Sequence, residues 1–154
     1  MDRALRRHKR VFEFCRMLLG GTLKRIYRFH TEVAEVGKGP FLITANHNGE
    51  LDPALLALSF KEHMYFVSSE HVFRKGFISK VLTYFFAPIA RVKGMTDATA
   101  ALNIIRHLKK GTNVCLFAEG NRSYNGITGP IFPATGKLAK ASRRSPPMAW
   151  RYHG

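Results

Sequence analysis

The chain has 154 residues, of which 45% are hydrophobic, and it carries a formal net charge of +15. This size and hydrophobic content predict one folded domain with its own core and exclude disorder as the main state. The basic excess predicts an anionic partner, which is a nucleic acid, a membrane surface or a phosphorylated substrate. No apolar run reaches the roughly 18 residues that a membrane-spanning helix needs. Cys15 and Cys115 form no metal-binding or Cys-x-x-Cys pattern and are typical of reduced cytosolic thiols.

Residues 1–30 have the pattern of a basic amphipathic helix. Apolar residues from Val11 to Phe29 recur at helical spacing, and arginines and lysines surround them. Such a helix suits the boundary between water and lipid, where each cation near an anionic leaflet contributes about 1 kcal/mol before screening. The alternative is a terminal helix that packs on its own domain and exposes a solvated basic face. We predict a membrane-contact helix over residues 1–30, followed by the folded domain over residues 31–154.

Strands and helices alternate from residue 31 onward. The predicted strands are Phe41–Thr44, Met64–Ser68, Ile89–Val92 and Val114–Ala118. The predicted helices are Pro53–Phe60, His71–Phe86 and Thr96–Lys109. This alternation predicts an α/β fold, with a central mixed or mostly parallel sheet flanked by helices.

The junction between the first strand and the following helix carries the most informative pair of residues, His47 and Asp52. Side chains at such a junction lie at the carboxyl end of the strand, where α/β folds bind their ligands. A neutral imidazole accepts a proton from a hydroxyl near pH 7, and a carboxylate behind it fixes its tautomer and stabilises the cation. The pair corresponds to the His and Asp of a Ser-His-Asp triad, and the substrate would supply the hydroxyl in place of the serine. The plainer alternative is an Asn/His turn followed by an acidic residue that favours the helix dipole.

Two later strands end in residues that suit a phosphate group. The third predicted strand contains Arg91. The fourth is followed by Glu119, Gly120, Arg122 and Ser123. A guanidinium group offers a planar fork to phosphate, and a glycine allows close approach of the backbone. Taken singly, either arginine is more often a surface ion-pair partner.

In this order, the three segments resemble the motifs of the glycerophospholipid acyltransferase family, best known for the 1-acylglycerol-3-phosphate (lysophosphatidic acid) acyltransferases. The family's first block, Asn-His with four residues between the His and an Asp, is present at residues 46–52. The second block, an apolar strand that ends in Arg, resembles residues 89–91. The third block, Phe-Pro-Glu-Gly-Thr-Arg-Ser, is present at residues 117–123, with Ala118 in place of the Pro and Asn121 in place of the Thr.

The resemblance spans about residues 30 to 140 and implies that residues 31–154 are an acyltransferase domain. It implies transfer of a fatty acyl group from acyl-coenzyme A or acyl-carrier protein to the hydroxyl of a lysophosphatidic acid-type glycerophospholipid. The thioester is a co-substrate, and no metal or other cofactor is expected. The expected location is peripheral, on the cytoplasmic face of an anionic membrane, and no nucleic-acid partner is expected.

The resemblance also implies a role for each motif residue. His47 acts as the general base, and Asp52 orients it. The substrate-binding residues are Arg91, Glu119, Gly120, Arg122 and Ser123, with the two arginines holding the acceptor's phosphate. Glu119 orders Arg122 or the acceptor's hydroxyls, or it caps the following turn, and these alternatives stay open.

The C-terminal segment departs from the family, whose members are usually longer. Residues 136–142 match the helix that follows the third block, but residues 143–148 contain two prolines beside two arginines and are predicted to break the pattern. The expectation is a domain that is incomplete at its C-terminal end, through truncation, a frameshift or a naturally short chain, with one sheet edge and part of the acyl pocket missing. One alternative function is therefore a catalytically inactive or truncated membrane-binding remnant. A less favoured alternative, which rests on the basic charge, is a nucleic-acid-binding module.

Overall fold

The computed structural model describes residues 3–26, 39–49, 51–69, 76–77, 80, 84, 88–91, 97–120, 130–131, 133–141 and 147–150. Within these ranges lie the helices α1 (Arg3–Ile26), α2 (Asp52–Ser59), α3 (Asp97–Lys109) and α4 (Pro133–Ala141). The strands there are β1 (Leu42–Ala45), β2 (Met64–Ser69), β3 (Ile89–Arg91), β4 (Asn113–Phe117) and β5 (Pro147–Trp150). Most of the predicted helix His71–Phe86 lies outside the described residues.

The strands form one sheet in the order β3-β2-β4-β1-β5, and each of its strand pairs is parallel. The predicted α/β class is confirmed, and the sheet is parallel rather than mixed. In a parallel sheet, all the strands end at the same edge. The segments that follow β1 and β4 are therefore neighbours, because these two strands pair directly.

Helices cover both faces of the sheet, which explains the nearly continuous apolar sequence of β4. Successive strand residues point to opposite faces. One face packs on α1 and α2 through a core of Phe12, Phe41, Ile43, Ala45, Leu56, Phe60, Met64 and Cys115. The core on the other face, against α3 and α4, includes Leu42, Ile104, Leu108, Val114, Leu116 and Leu138.

The C-terminal segment corrects one expectation. Residues Pro147–Trp150 form β5, which pairs in parallel with β1 at the edge of the sheet. The prediction that this segment breaks the pattern was wrong there, because a proline is tolerated as the first residue of an edge strand. The edge of the sheet beside β1 is therefore occupied by a strand.

Helix α1 packs on the domain through one face only. Phe12 and His8 are buried, and the Arg16 guanidinium donates hydrogen bonds to the backbone carbonyls of Phe60 at 2.9 Å and Lys61 at 3.1 Å. Large apolar side chains elsewhere on the helix are exposed, namely Phe14, Met17, Leu18, Leu19 and Ile26. Among the described residues, no helix combines the length and the apolar character needed to cross a membrane.

Candidate active site

His47 and Asp52 are in direct contact in the loop between β1 and α2. The Oδ2 atom of Asp52 lies 2.8 Å from Nδ1 of His47. The same oxygen accepts hydrogen bonds from the backbone N–H groups of Asn48 at 2.6 Å and Gly49 at 2.8 Å. Asp52 is the first residue of α2, so its carboxylate also lies at the positive end of that helix. The His47–Asp52 pair and the turn that the sequence suggested as its alternative are thus both present. The backbone of the loop fixes the carboxylate.

This geometry sets the chemistry of the imidazole. An ionised carboxylate only accepts hydrogen bonds, so the proton of a neutral His47 ring belongs on Nδ1. The Nε2 atom then keeps its lone pair and is available to accept a proton. The His47 side chain is 20% exposed, whereas that of Asp52 is 6% exposed. The imidazole is therefore partly accessible, while the carboxylate that contacts it is covered.

Strand β4 brings Glu119 to His47. Ala45 is the register partner of Phe117, and the N–H of Ala118 donates to the carbonyl of Ala45 at 3.0 Å, which extends the ladder one residue past the end of β4. The Oε1 atom of Glu119 accepts a hydrogen bond from the backbone N–H of His47 at 3.1 Å. Glu119 therefore contacts the loop that holds His47, an interaction that was not predicted from the sequence.

Gly120 ends this segment in a turn. Its φ of 70° lies in the left-handed region, which side chains with a Cβ rarely adopt, and its N–H donates to the carbonyl of Phe117 at 3.0 Å. The glycine lets the chain reverse directly after β4. The next residues of the third block, Arg122 and Ser123, lie outside the described residues, so their place relative to His47 stays a prediction.

Arg91 lies farther from His47 than Asp52, Glu119 and Gly120 do. It ends β3, which is separated from β1 by β2 and β4, so the backbones are roughly 14 Å apart across the sheet. Phe66 pairs with Cys115 and Ser68 pairs with Ala90, which puts Arg91 one residue beyond the level of Phe117. Arg91 thus shares the carboxyl edge with His47 without adjoining it.

Comparisons with known proteins agree with this architecture. The sequence matches the Acyltransferase family model over residues 23–148. The chain belongs to this family. Its fold is similar to the crystal structure of a 1-acyl-sn-glycerophosphate (LPA) acyltransferase, PlsC, from Thermotoga maritima, with a TM-score of 0.67 and 18% sequence identity. The match covers 92% of this chain but only 58% of the PlsC chain. A search of curated proteins by sequence gives no match.

The family assignment inferred from the motifs is therefore confirmed. One further observation concerns the chemistry of the thiol in this acyltransferase-family domain. Burial raises the pKa of the Cys115 thiol, so this residue in the middle of β4 is a poor candidate for a nucleophile. Among the residues whose structure is described, no group of three or more His, Cys, Asp or Glu is arranged to hold a metal ion.

One contact in this acyltransferase-family site was not anticipated from the sequence. The ring of Phe117 is stacked on the imidazole of His47, with the ring centroids 4.1 Å apart. Phe117 was recognised only as the first residue of the third block. Its contact follows from the pairing of β1 with β4. A local sequence pattern does not show which strands pair.

Proposed function

We propose that this chain transfers a fatty acyl group from acyl-coenzyme A or acyl-carrier protein to the hydroxyl of a lysophosphatidic acid-type glycerophospholipid. The observation that carries the proposal is the 2.8 Å contact between His47 Nδ1 and Asp52 Oδ2 at the carboxyl end of the sheet. It leaves Nε2 as the accessible base, which is what attack by an alcohol on a thioester requires.

The reaction runs without a covalent acyl-enzyme. Nε2 of His47 takes the proton as the acceptor's hydroxyl oxygen attacks the thioester carbonyl and forms the new C–O bond. Asp52 stabilises the imidazolium that results. The carbonyl then re-forms, the C–S bond breaks, and the proton passes from His47 to the leaving thiolate. General-base assistance of this kind contributes about 10²–10⁴-fold to the rate.

The acceptor's phosphate is assigned to Arg91 and Arg122. Both belong to motifs at strand ends, and a guanidinium group binds a phosphate through two parallel hydrogen bonds. Because the backbone of Arg91 lies three strands from β1, an acceptor held there would span the carboxyl edge toward His47. This arrangement suits an elongated lipid headgroup rather than a small alcohol.

The same proposal places the chain on the cytoplasmic surface of an anionic membrane. The exposed face of α1 combines Phe14, Met17 and Leu18 with the exposed cations Arg3 and Arg10. Apolar side chains enter the acyl boundary while arginines contact anionic headgroups, which is how an interfacial helix binds. The opposite face of α1 packs on the domain, so the helix would hold the site close to its lipid substrate.

An acyl-transfer assay tests the reaction. Wild type, His47→Ala and His107→Ala are each incubated with a radiolabelled acyl thioester and lysophosphatidic acid. His107 is a half-buried histidine on α3, so its variant controls for the loss of an imidazole elsewhere. We expect turnover to fall at least about 100-fold in His47→Ala alone, with folding checked by circular dichroism. Equal rates in His47→Ala and wild type would remove the base, and an inactive wild type would favour the membrane-binding remnant.

Vesicle flotation tests the membrane contact. The triple variant Phe14→Ser/Met17→Ser/Leu18→Ser is compared with Leu102→Ser/Ile131→Ser, which removes exposed apolar side chains outside α1. We expect wild type and the control to float with phosphatidylglycerol vesicles and the α1 variant to stay in solution. Flotation of all three proteins would contradict the assignment to α1. Salt-sensitive binding to duplex DNA without flotation would favour the nucleic-acid alternative.

A further inference from the structure

The imidazole of His47 lies nearly parallel to the ring of Phe117, with an interplanar angle of 19°. We propose that Phe117 is a positioning residue for His47, an inference that rests on the general-base function proposed above. The hydrogen bond to Asp52 holds the imidazole at Nδ1, and a single hydrogen bond still lets the ring rock about its Cβ–Cγ bond. A flat aromatic surface against the ring face removes this freedom.

Phe117 is itself held in place. It is the last residue of β4, and its half-buried side chain packs against the core that α1 and α2 cover. Ala45, its register partner on β1, belongs to the same core. The aromatic ring therefore rests on a close-packed interior, in which side chains keep single rotamers. A rigid support of this kind passes its orientation on to the imidazole above it.

The stacking leaves the Nε2 edge of the imidazole available to a substrate. Asp52 occupies Nδ1, and Phe117 covers one face, so a substrate reaches Nε2 from the remaining side. When Nε2 takes the proton, the ring becomes a cation above an aromatic face, which is an attractive arrangement. This attraction is stronger in the transition state than in the resting enzyme. It therefore increases kcat and does not tighten substrate binding.

The test compares Phe117→Leu with Phe117→Tyr and with a matched control, Phe66→Leu. Phe66 is a half-buried phenylalanine on β2 that packs against the same core, and it pairs with Cys115 and not with the base. Both leucine variants make the same chemical change in one cluster. We expect Phe117→Leu to lower kcat about tenfold with KM changed less than about twofold. Phe117→Tyr should restore most of kcat, and Phe66→Leu should stay near wild type.

A second readout does not depend on turnover. In ¹⁵N-edited NMR, the Nδ1–H signal of His47 should be sharp in wild type and in Phe66→Leu, and broadened in Phe117→Leu. Indistinguishable kcat values and NMR signals in the two leucine variants would overturn the inference. If wild type transfers no acyl group, the proposed function fails, but the NMR comparison still decides whether Phe117 positions the ring.

Discussion

The Glu119 carboxylate accepts a hydrogen bond from the backbone N–H of His47, although 72 residues separate the two in sequence. The bond joins the segment after β4 to the segment after β1, and it lies beside the parallel pairing of Ala45 with Phe117. The third motif thus supports the first motif directly. A substitution at Glu119 should therefore change the geometry of the base.

The first prediction separates this supporting role from substrate binding. Glu119→Ala removes the acceptor of the His47 N–H, and the loss of one such hydrogen bond costs about 1 kcal/mol. We expect kcat to fall about fivefold to tenfold while KM for lysophosphatidic acid stays within about twofold. Glu119→Gln keeps an oxygen acceptor and should retain most of the activity. Steady-state kinetics measure both, and a large rise in KM with unchanged kcat would instead assign Glu119 to the acceptor.

The second prediction concerns the negative charge that Asp52 places beside His47. In Asp52→Asn, the amide oxygen takes the place of Oδ2, where it still accepts hydrogen bonds from Asn48 and Gly49 and still faces Nδ1 of His47. The neutral amide does not stabilise the imidazolium that forms when Nε2 takes a proton, whereas the carboxylate does. We expect kcat to fall about 10²–10⁴-fold with the fold intact.

The control for Asp52→Asn is Asp97→Asn, the same chemical change at the first residue of α3. It should leave kcat unchanged. Full activity in Asp52→Asn would show that the charge of the carboxylate does not assist the base.

The sequence predicts individual elements well because their signals are local. The predicted bounds of β1, β2, β3 and β4 agree with the observed bounds to within two residues. This is because the length and the alternation of a strand can be recognised from adjacent residues. The contact of His47 with Asp52 was also expected from spacing, because both lie in one turn between a strand and a helix. Local patterns suffice where the chain folds back within a few residues.

The rest depends on pairing between distant segments. Only the sheet order shows that β4 adjoins β1, and this order brings Phe117 and Glu119 to His47 while leaving Arg91 three strands away. The strand at Pro147–Trp150 was missed because two prolines oppose a central strand but not an edge strand. Local periodicity does not encode a strand's position in the sheet.

A third prediction uses the two adjacent glycines of α1. A Cβ added to Gly20 would lie 3.1 Å from a terminal methyl carbon of Leu58, whereas one added to Gly21 would have no atom within 4 Å. Alanine stabilises a helix interior by about 1 kcal/mol relative to glycine. Gly21→Ala should therefore raise the free energy of unfolding by about 1 kcal/mol in urea titrations. Gly20→Ala should gain less because Leu58 must move, and equal gains would argue against close packing of α1 on α2.

The last prediction follows from a buried histidine that connects α1 to the sheet. His63 forms a short contact with His8, and burial, together with His8, Lys9 and His107, lowers the pKa of His63 to about 3. The unfolded chain protonates this group near its ordinary value of 6.5. Between these two values, the unfolded state binds a proton that folded His63 does not. The free energy of unfolding should therefore fall as the pH is lowered from about 6.5 toward 3, by at most about 1.4 kcal/mol per pH unit from this residue.

Urea unfolding of wild type and His63→Gln over a series of pH values measures this contribution. The variant loses the ring contacts of His63 with Phe12 and Tyr65, so it should be less stable than wild type at neutral pH. Because glutamine does not titrate, the two stabilities should converge as the pH falls below about 6.5, and they should stay parallel above it. Curves that stay parallel down to pH values near 4 would mean that folded His63 takes up its proton as readily as the unfolded chain does.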